Sequence, residues 1–132
     1  MVPAPMAAGL TLCHYVAVEE GTRNVTLAGS FHQLVGSTFP LRLAPFCVFA
    51  PLVGGQGEGT VELVVTRLQT DQELYRVHRR VAFPDRFTEV GALFRLRNCV
   101  FPAAGAYFFT LLVDGEWMAQ RRILVSLKEA TQ

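Results

Sequence analysis

The stretch Ala106-Tyr107-Phe108-Phe109-Thr110-Leu111-Leu112-Val113-Asp114-Gly115-Glu116-Trp117-Met118-Ala119 carries the strongest local signal in the chain. Asp-Gly between two runs rich in aromatic and aliphatic residues specifies a two-residue type I′ turn, because both central residues take positive φ. Ala106 to Val113 is therefore expected to return antiparallel as Glu116 to Leu127. Such a turn pairs Leu112 with Trp117 and Leu111 with Met118. One face of the hairpin then carries Phe108, Leu112, Trp117, Ala119, Ile123 and Val125. The other carries Tyr107, Phe109, Leu111, Val113, Met118 and Leu124. A strand in a two-layer fold meets the core with only one face. The second apolar face needs cover from the N-terminal segment, from the 35–45 connection, or from another chain. Tyr107, Trp117 and Met118 are the candidate contact residues, since aromatics and methionine are enriched in interface cores.

The rest of the chain repeats this pattern at lower contrast. Leu10 to Val18, Val25 to Leu34, Phe46 to Val53, Thr60 to Leu68, Glu73 to Phe83 and Val90 to Leu96 are short period-two runs separated by turn residues. Phe46 to Val53 is nearly all apolar and reads as central, and Pro51 needs an edge or a bulge because it has no N–H to give a ladder. Gly54 to Gly59 reads as a flexible hairpin loop. No segment keeps a helical period. About eight strands make an all-β fold, a two-sheet antiparallel β-sandwich over residues 1–132, with residues 1–9 as an N-terminal arm. A closed β-barrel is the alternative.

Composition narrows the class. A chain of 132 residues fits one domain, and 51% hydrophobic against 17% charged residues excludes a disordered chain. A formal net charge of +1 argues against a nucleic-acid binder. No apolar run nears the ~20 residues of a membrane helix. The start lacks a basic segment before Glu19, so no secretion signal is read there. Cys13, Cys47 and Cys99 are odd in number and without paired spacing, which suits reduced thiols in the cytoplasm. Lys128 stands alone among eleven arginines, a composition expected of a GC-rich bacterial genome.

No catalytic set emerges. The Gly54–Gly59 run lacks the Gly-Lys-Ser/Thr of a phosphate loop. Cys13 and His14 are neighbours on a strand and point to opposite faces, while His32, His78, Cys47 and Cys99 show no ligand spacing, so no metal is expected. Ser30 and His32 merely share a strand face, without a nucleophile elbow. The acids fall mostly in turns, and no cofactor is implied. The charges, however, are uneven. Residues 1–66 hold two arginines and four acids; residues 67–132 hold ten basic groups and seven acids. Alternation places Arg76, His78 and Arg80 on one face of their strand and Tyr75, Val77, Val81 and Phe83 on the other. Arg95 and Arg97 oppose Ala92, Phe94 and Leu96. Were the two strands neighbours, these five residues would form one basic face for an acidic partner.

The segment from Phe101 through Pro102-Ala103-Ala104-Gly105 into Tyr107, with its Asp114-Gly115 hairpin, resembles the closing hairpin of immunoglobulin-like sandwiches. From Thr11 to Val125 the chain resembles a family of short bacterial proteins classed only as a domain of unknown function. That resemblance is carried by Leu12-Cys13, by Leu27-Ala28-Gly29-Ser30-Phe31, by Phe39-Pro40 and by the final hairpin. It implies a fold and lends no activity. The expectation is a non-enzymatic module for protein–protein contact, a homo-oligomer or a small subunit of a bacterial assembly, with no nucleic acid and no membrane insertion. The alternative is a small-ligand or carbohydrate-binding sandwich using Trp117 and the glycine loop.

Overall fold

The computed structural model describes residues 5–128, and every regular element among them is a β-strand. There are thirteen: β1 (Met6–Ala7), β2 (Thr11–Cys13), β3 (Tyr15–Val18), β4 (Val25–Ala28), β5 (Gln33–Gly36), β6 (Leu41–Arg42), β7 (Phe46–Val53), β8 (Gly57–Arg67), β9 (Glu73–Phe83), β10 (Val90–Leu96), β11 (Val100–Phe101), β12 (Gly105–Val113) and β13 (Glu116–Leu127). The expected count of about eight is therefore too low. Two of the expected strands are each divided, and three two-residue strands carried no period-two signal. The divisions have a shared cause. At His14 the backbone N–H leaves the β2 ladder and donates to Ala28 O. On the facing segment the chain turns through Gly29, whose φ is 71°. Beyond these points β3 and β4 pair only with each other, while β5 joins another sheet.

In the first large sheet β7 is central, flanked by β10 on one side and by β1 and β2 in succession on the other. Pro51 fits in this central strand because its missing N–H faces the gap between β1 and β2, where only its carbonyl is used, by Ala8 N–H at 2.8 Å. The second large sheet runs β5-β13-β12-β8-β9, antiparallel except for β5, which lies parallel to β13. A further pair, β6 with β11, stands apart. The Gly54–Gly59 segment is not a hairpin loop, since β7 and β8 belong to different sheets. Its second half is strand, with Gly57 and Gly59 opposite Phe83 and Val81.

A single buried cluster draws alternate residues from both large sheets. β7 gives Phe46, Val48, Ala50 and Leu52, and β10 gives Ala92, Phe94 and Leu96. β8 gives Val61, Leu63 and Val65; β12 gives Tyr107, Phe109, Leu111 and Val113; β13 gives Ile123 and Val125. Period-two patterning thus acts as the physics requires: alternate residues of each strand enter the shared core.

The last hairpin departs from its expected register. Asp114 and Gly115 form the turn with φ of 50° and 82°, and Leu112 does pair with Trp117. Leu111, however, pairs with Ala119, leaving Met118 as the extra residue of a β-bulge. Every residue after the bulge changes face. Ile123 and Val125 join Tyr107 and Phe109 in the core, and Leu124 turns outward.

Tyr107 is buried without residual exposure, so it belongs to the core and not to a contact surface. Its ring packs edge-on against Phe101 at 4.9 Å, and its hydroxyl donates to Ala103 O at 2.5 Å. That bond ties the turn before β12 to the strand itself. Tyr107→Phe removes it while keeping the ring, and should cost about 1–2 kcal/mol by leaving a half-buried carbonyl unpaired. Urea denaturation should show a lower midpoint at unchanged slope. An unchanged midpoint would show that the hydroxyl contributes nothing to stability.

Candidate functional site

The outer face of the five-stranded sheet can be read row by row from the ladders. One row runs Trp117–Leu112–Glu62–His78, the next Gln120–Thr110–Val64–Arg76, and the third Arg122–Phe108–Thr66–Glu73. The β13–β12 side is mixed: the apolar Trp117, Leu112, Phe108 and Leu124 are interrupted by Arg122 and by Gln120, which donates to the Thr110 hydroxyl at 3.0 Å. Trp117 is 61% exposed at its upper end and Leu124 is exposed at its lower end, with Leu112 and Phe108 half-buried between them. Trp117 shares the outward face of Leu112, its partner across the turn, before the bulge intervenes. Of the three candidate contact residues, Trp117 alone is openly exposed. Met118 is half-buried and packs against the core cluster.

The β8–β9 side of the same face is charged but internally paired. Arg76 meets Glu62 and Glu73, each at 2.6 Å, and Arg80 meets Glu58 at 2.5 Å. These contacts hold the Glu73 carboxyl below the usual carboxylate range, first through the Arg76 hydrogen bond, and raise Arg76 further. All are solvent-exposed, so they neutralise the surface more than they stabilise it. Arg95 and Arg97 are not part of this face. β9 pairs with β8 and β10 with β7, in different sheets, so the five residues expected to share a basic face are split between two.

The other chemistry-bearing residues do not converge. Cys13 and Cys47 lie opposite one another on β2 and β7, both buried, on the face turned away from the core cluster. Burial, and then the neighbouring Cys47, raise the Cys13 thiol; burial pushes Cys99 up to about 12. A thiol so raised is protonated at neutral pH and is a poor nucleophile. Among the described residues no three His, Cys, Asp or Glu side chains are grouped to hold a metal ion. None of their helices could cross a membrane, since the described residues form none.

Residues 8–126 match the family of unknown function DUF6941. The chain belongs to that family. Among solved structures it is similar to the C-terminal domain of Wzt, with a TM-score of 0.54 and 10% identity, over 96% of this chain and 75% of that one. At that identity the likeness concerns the fold. No curated protein matches. Family membership bears out the expected membership of a family of unknown function, and it brings no activity with it.

The thiols give a direct check on the site's chemistry. Iodoacetamide at pH 7.5 should leave Cys13, Cys47 and Cys99 unmodified in the native protein and modify all three in denaturant, as read by intact mass. Rapid labelling of one thiol in the native state would place a reactive cysteine where the geometry puts a buried one.

Proposed function

We propose that this chain is a non-enzymatic immunoglobulin-like β-sandwich that acts as a protein–protein interaction module, self-associating through the outer face of its five-stranded sheet. Three features support the sandwich reading. The two large sheets share one buried cluster. The N-terminal part of the chain serves first one sheet, as β2, and then the other, as β5 beside β13. Tyr107, near the start of β12, hydrogen-bonds back to Ala103 in the manner of a tyrosine corner. The odd, buried thiols and the arginine-rich composition support a bacterial cytoplasmic setting.

The observation that carries the functional reading is Trp117, exposed beside half-buried Leu112 on a face that also carries Phe108 and Leu124. Tryptophan is strongly enriched at the energetic centres of interfaces. A second copy is the favoured occupant because a two-fold interface must be self-complementary. On the β8–β9 side of this face Glu58, Glu62 and Glu73 are already paired with Arg76 and Arg80, so apposed copies would meet little like-charge repulsion there.

Native mass spectrometry and light scattering of the purified protein should show a discrete multiple of the protomer mass. Trp117→Glu should convert it to a monomer with near-unchanged thermal stability, since the side chain adds little to the core. A wild-type monomer at tens of micromolar would overturn self-association. A Trp117→Glu protein of oligomeric mass would overturn the choice of face. The second reading, a small-ligand binder, rests on a separate cleft on the other large sheet.

A further inference from the structure

The β3–β4 hairpin, the outer face of β7 and β10, and the segment joining β9 to β10 enclose a cleft of about 570 Å³. That lies within the range of small-molecule sites, which are mostly apolar with a few convergent polar groups. Phe49 and Leu93, opposite one another on β7 and β10, line it beside Gly91. A side chain at Gly91 could not be accommodated: a Cβ there would lie 2.7 Å from the Phe49 ring. Glycine at this position lets the ring lie over β10. Val18 and Val25 come from the hairpin, Pro84 and Val90 from the far side.

The polar lining is Arg23, Arg79, Thr88 and Glu89. Arg79 stands opposite Val61, in the register of core-facing residues, but β9 is an edge strand. Its guanidinium reaches across to donate to Leu93 O on β10, with further N–H groups left over. Arg76 and Arg80, two of its neighbours on β9, are held by carboxylates, whereas neither Arg79 nor Arg23 has a carboxylate within ion-pair distance among the described residues. The Thr88 hydroxyl is already engaged by Asp85, which also accepts the N–H groups of Phe87 and Thr88 at 2.8 Å each. Those bonds, led by the Phe87 N–H, hold the Asp85 carboxyl below its ordinary range. Two arginines against one glutamate leave a single positive charge facing an apolar floor.

We propose that this cleft is a binding site for a small organic monoanion, a carboxylate on an apolar or aromatic body. The carboxylate meets Arg23 and Arg79, and the body rests on Phe49 and Leu93 between Val18 and Val25. The floor of the site is on the opposite large sheet from Trp117 and Arg79 comes from the far edge strand, β9, so the site stands or falls independently of self-association.

The test is an amide chemical-shift titration of the full chain with three matched probes: 3-phenylpropionate, 3-phenylpropanol and 3-phenylpropylamine. The acid should perturb amides confined to 18–25, 49, 79 and 88–93, and bind about tenfold more tightly than the alcohol, the worth of one charge-assisted hydrogen bond. The amine should bind least. Arg79→Gln should remove the acid's advantage. Because Arg79 also braces β10, Arg23→Asn serves as the second variant; asparagine suits the positive φ of 64° there. It should weaken the acid several-fold and leave the alcohol unchanged. Equal binding of acid and alcohol, perturbation elsewhere, no perturbation at millimolar probe, or unaltered acid affinity in Arg23→Asn would each overturn the proposal.

Discussion

The row Tyr107, Phe109, Leu111 and Val113 on β12 is the constraint on which the rest of the molecule depends. β12 is the middle strand of its sheet, and these four side chains are buried almost to completion. Each belongs to the cluster that β7 and β10 also enter, so the two sheets are held by the same apolar contacts. Phe46 shows the join directly: its ring meets Phe109 at 6.2 Å and Phe31 at 5.6 Å. A polar residue at any of the four places would lose burial and pairing together, because β8 and β13 are aligned through them.

Much of this was legible beforehand, because burial writes itself into alternation. β7, β9, β10 and β13 have the bounds their apolar periods suggest, and the Asp114-Gly115 turn is where its chemistry requires. What was illegible shares a different physics. The break at His14 and Gly29 comes from a backbone hydrogen bond to Ala28, a tertiary event that leaves the local pattern intact. The bulge at Met118 adds one residue to one strand, and the sequence has no mark for it: Trp117, Met118 and Ala119 are all apolar, so either register looks reasonable. One residue of slip then exchanged the faces of Ile123, Leu124 and Val125. The basic face failed for a topological reason, since alternation says which face of a strand a residue occupies but not which strand lies beside it.

The candidate sites divide the same way. Trp117 could be noticed as a tryptophan beside a turn and placed on the Leu112 face, but which face of that hairpin meets the core is settled only by the packing of the two sheets. Arg79 could not be singled out at all. It interrupts the inner set Tyr75, Val77, Val81 and Phe83, and its meaning appears only when β10 of the other sheet is seen to lie within reach. The arginines of β9 therefore differ by environment rather than type: Arg76 and Arg80 are paired on one face, and Arg79 spans the edges of two sheets.

The parallel pairing of β5 with β13 bears on the order in which the chain can be completed. Gln33 lies opposite Leu124 and Gly36 opposite Leu127, so the ladder joins segments far apart in sequence. During synthesis β2 and β7 can meet soon after both have emerged, and β12 can find β8 before β13 exists. The β5 edge has no such early partner. It stays open until β13 is made, and this ladder is among the most non-local pairings of the described residues. Completion of the five-stranded sheet thus waits for β13, and until then the Gln33–Gly36 edge is unpaired and available to other chains.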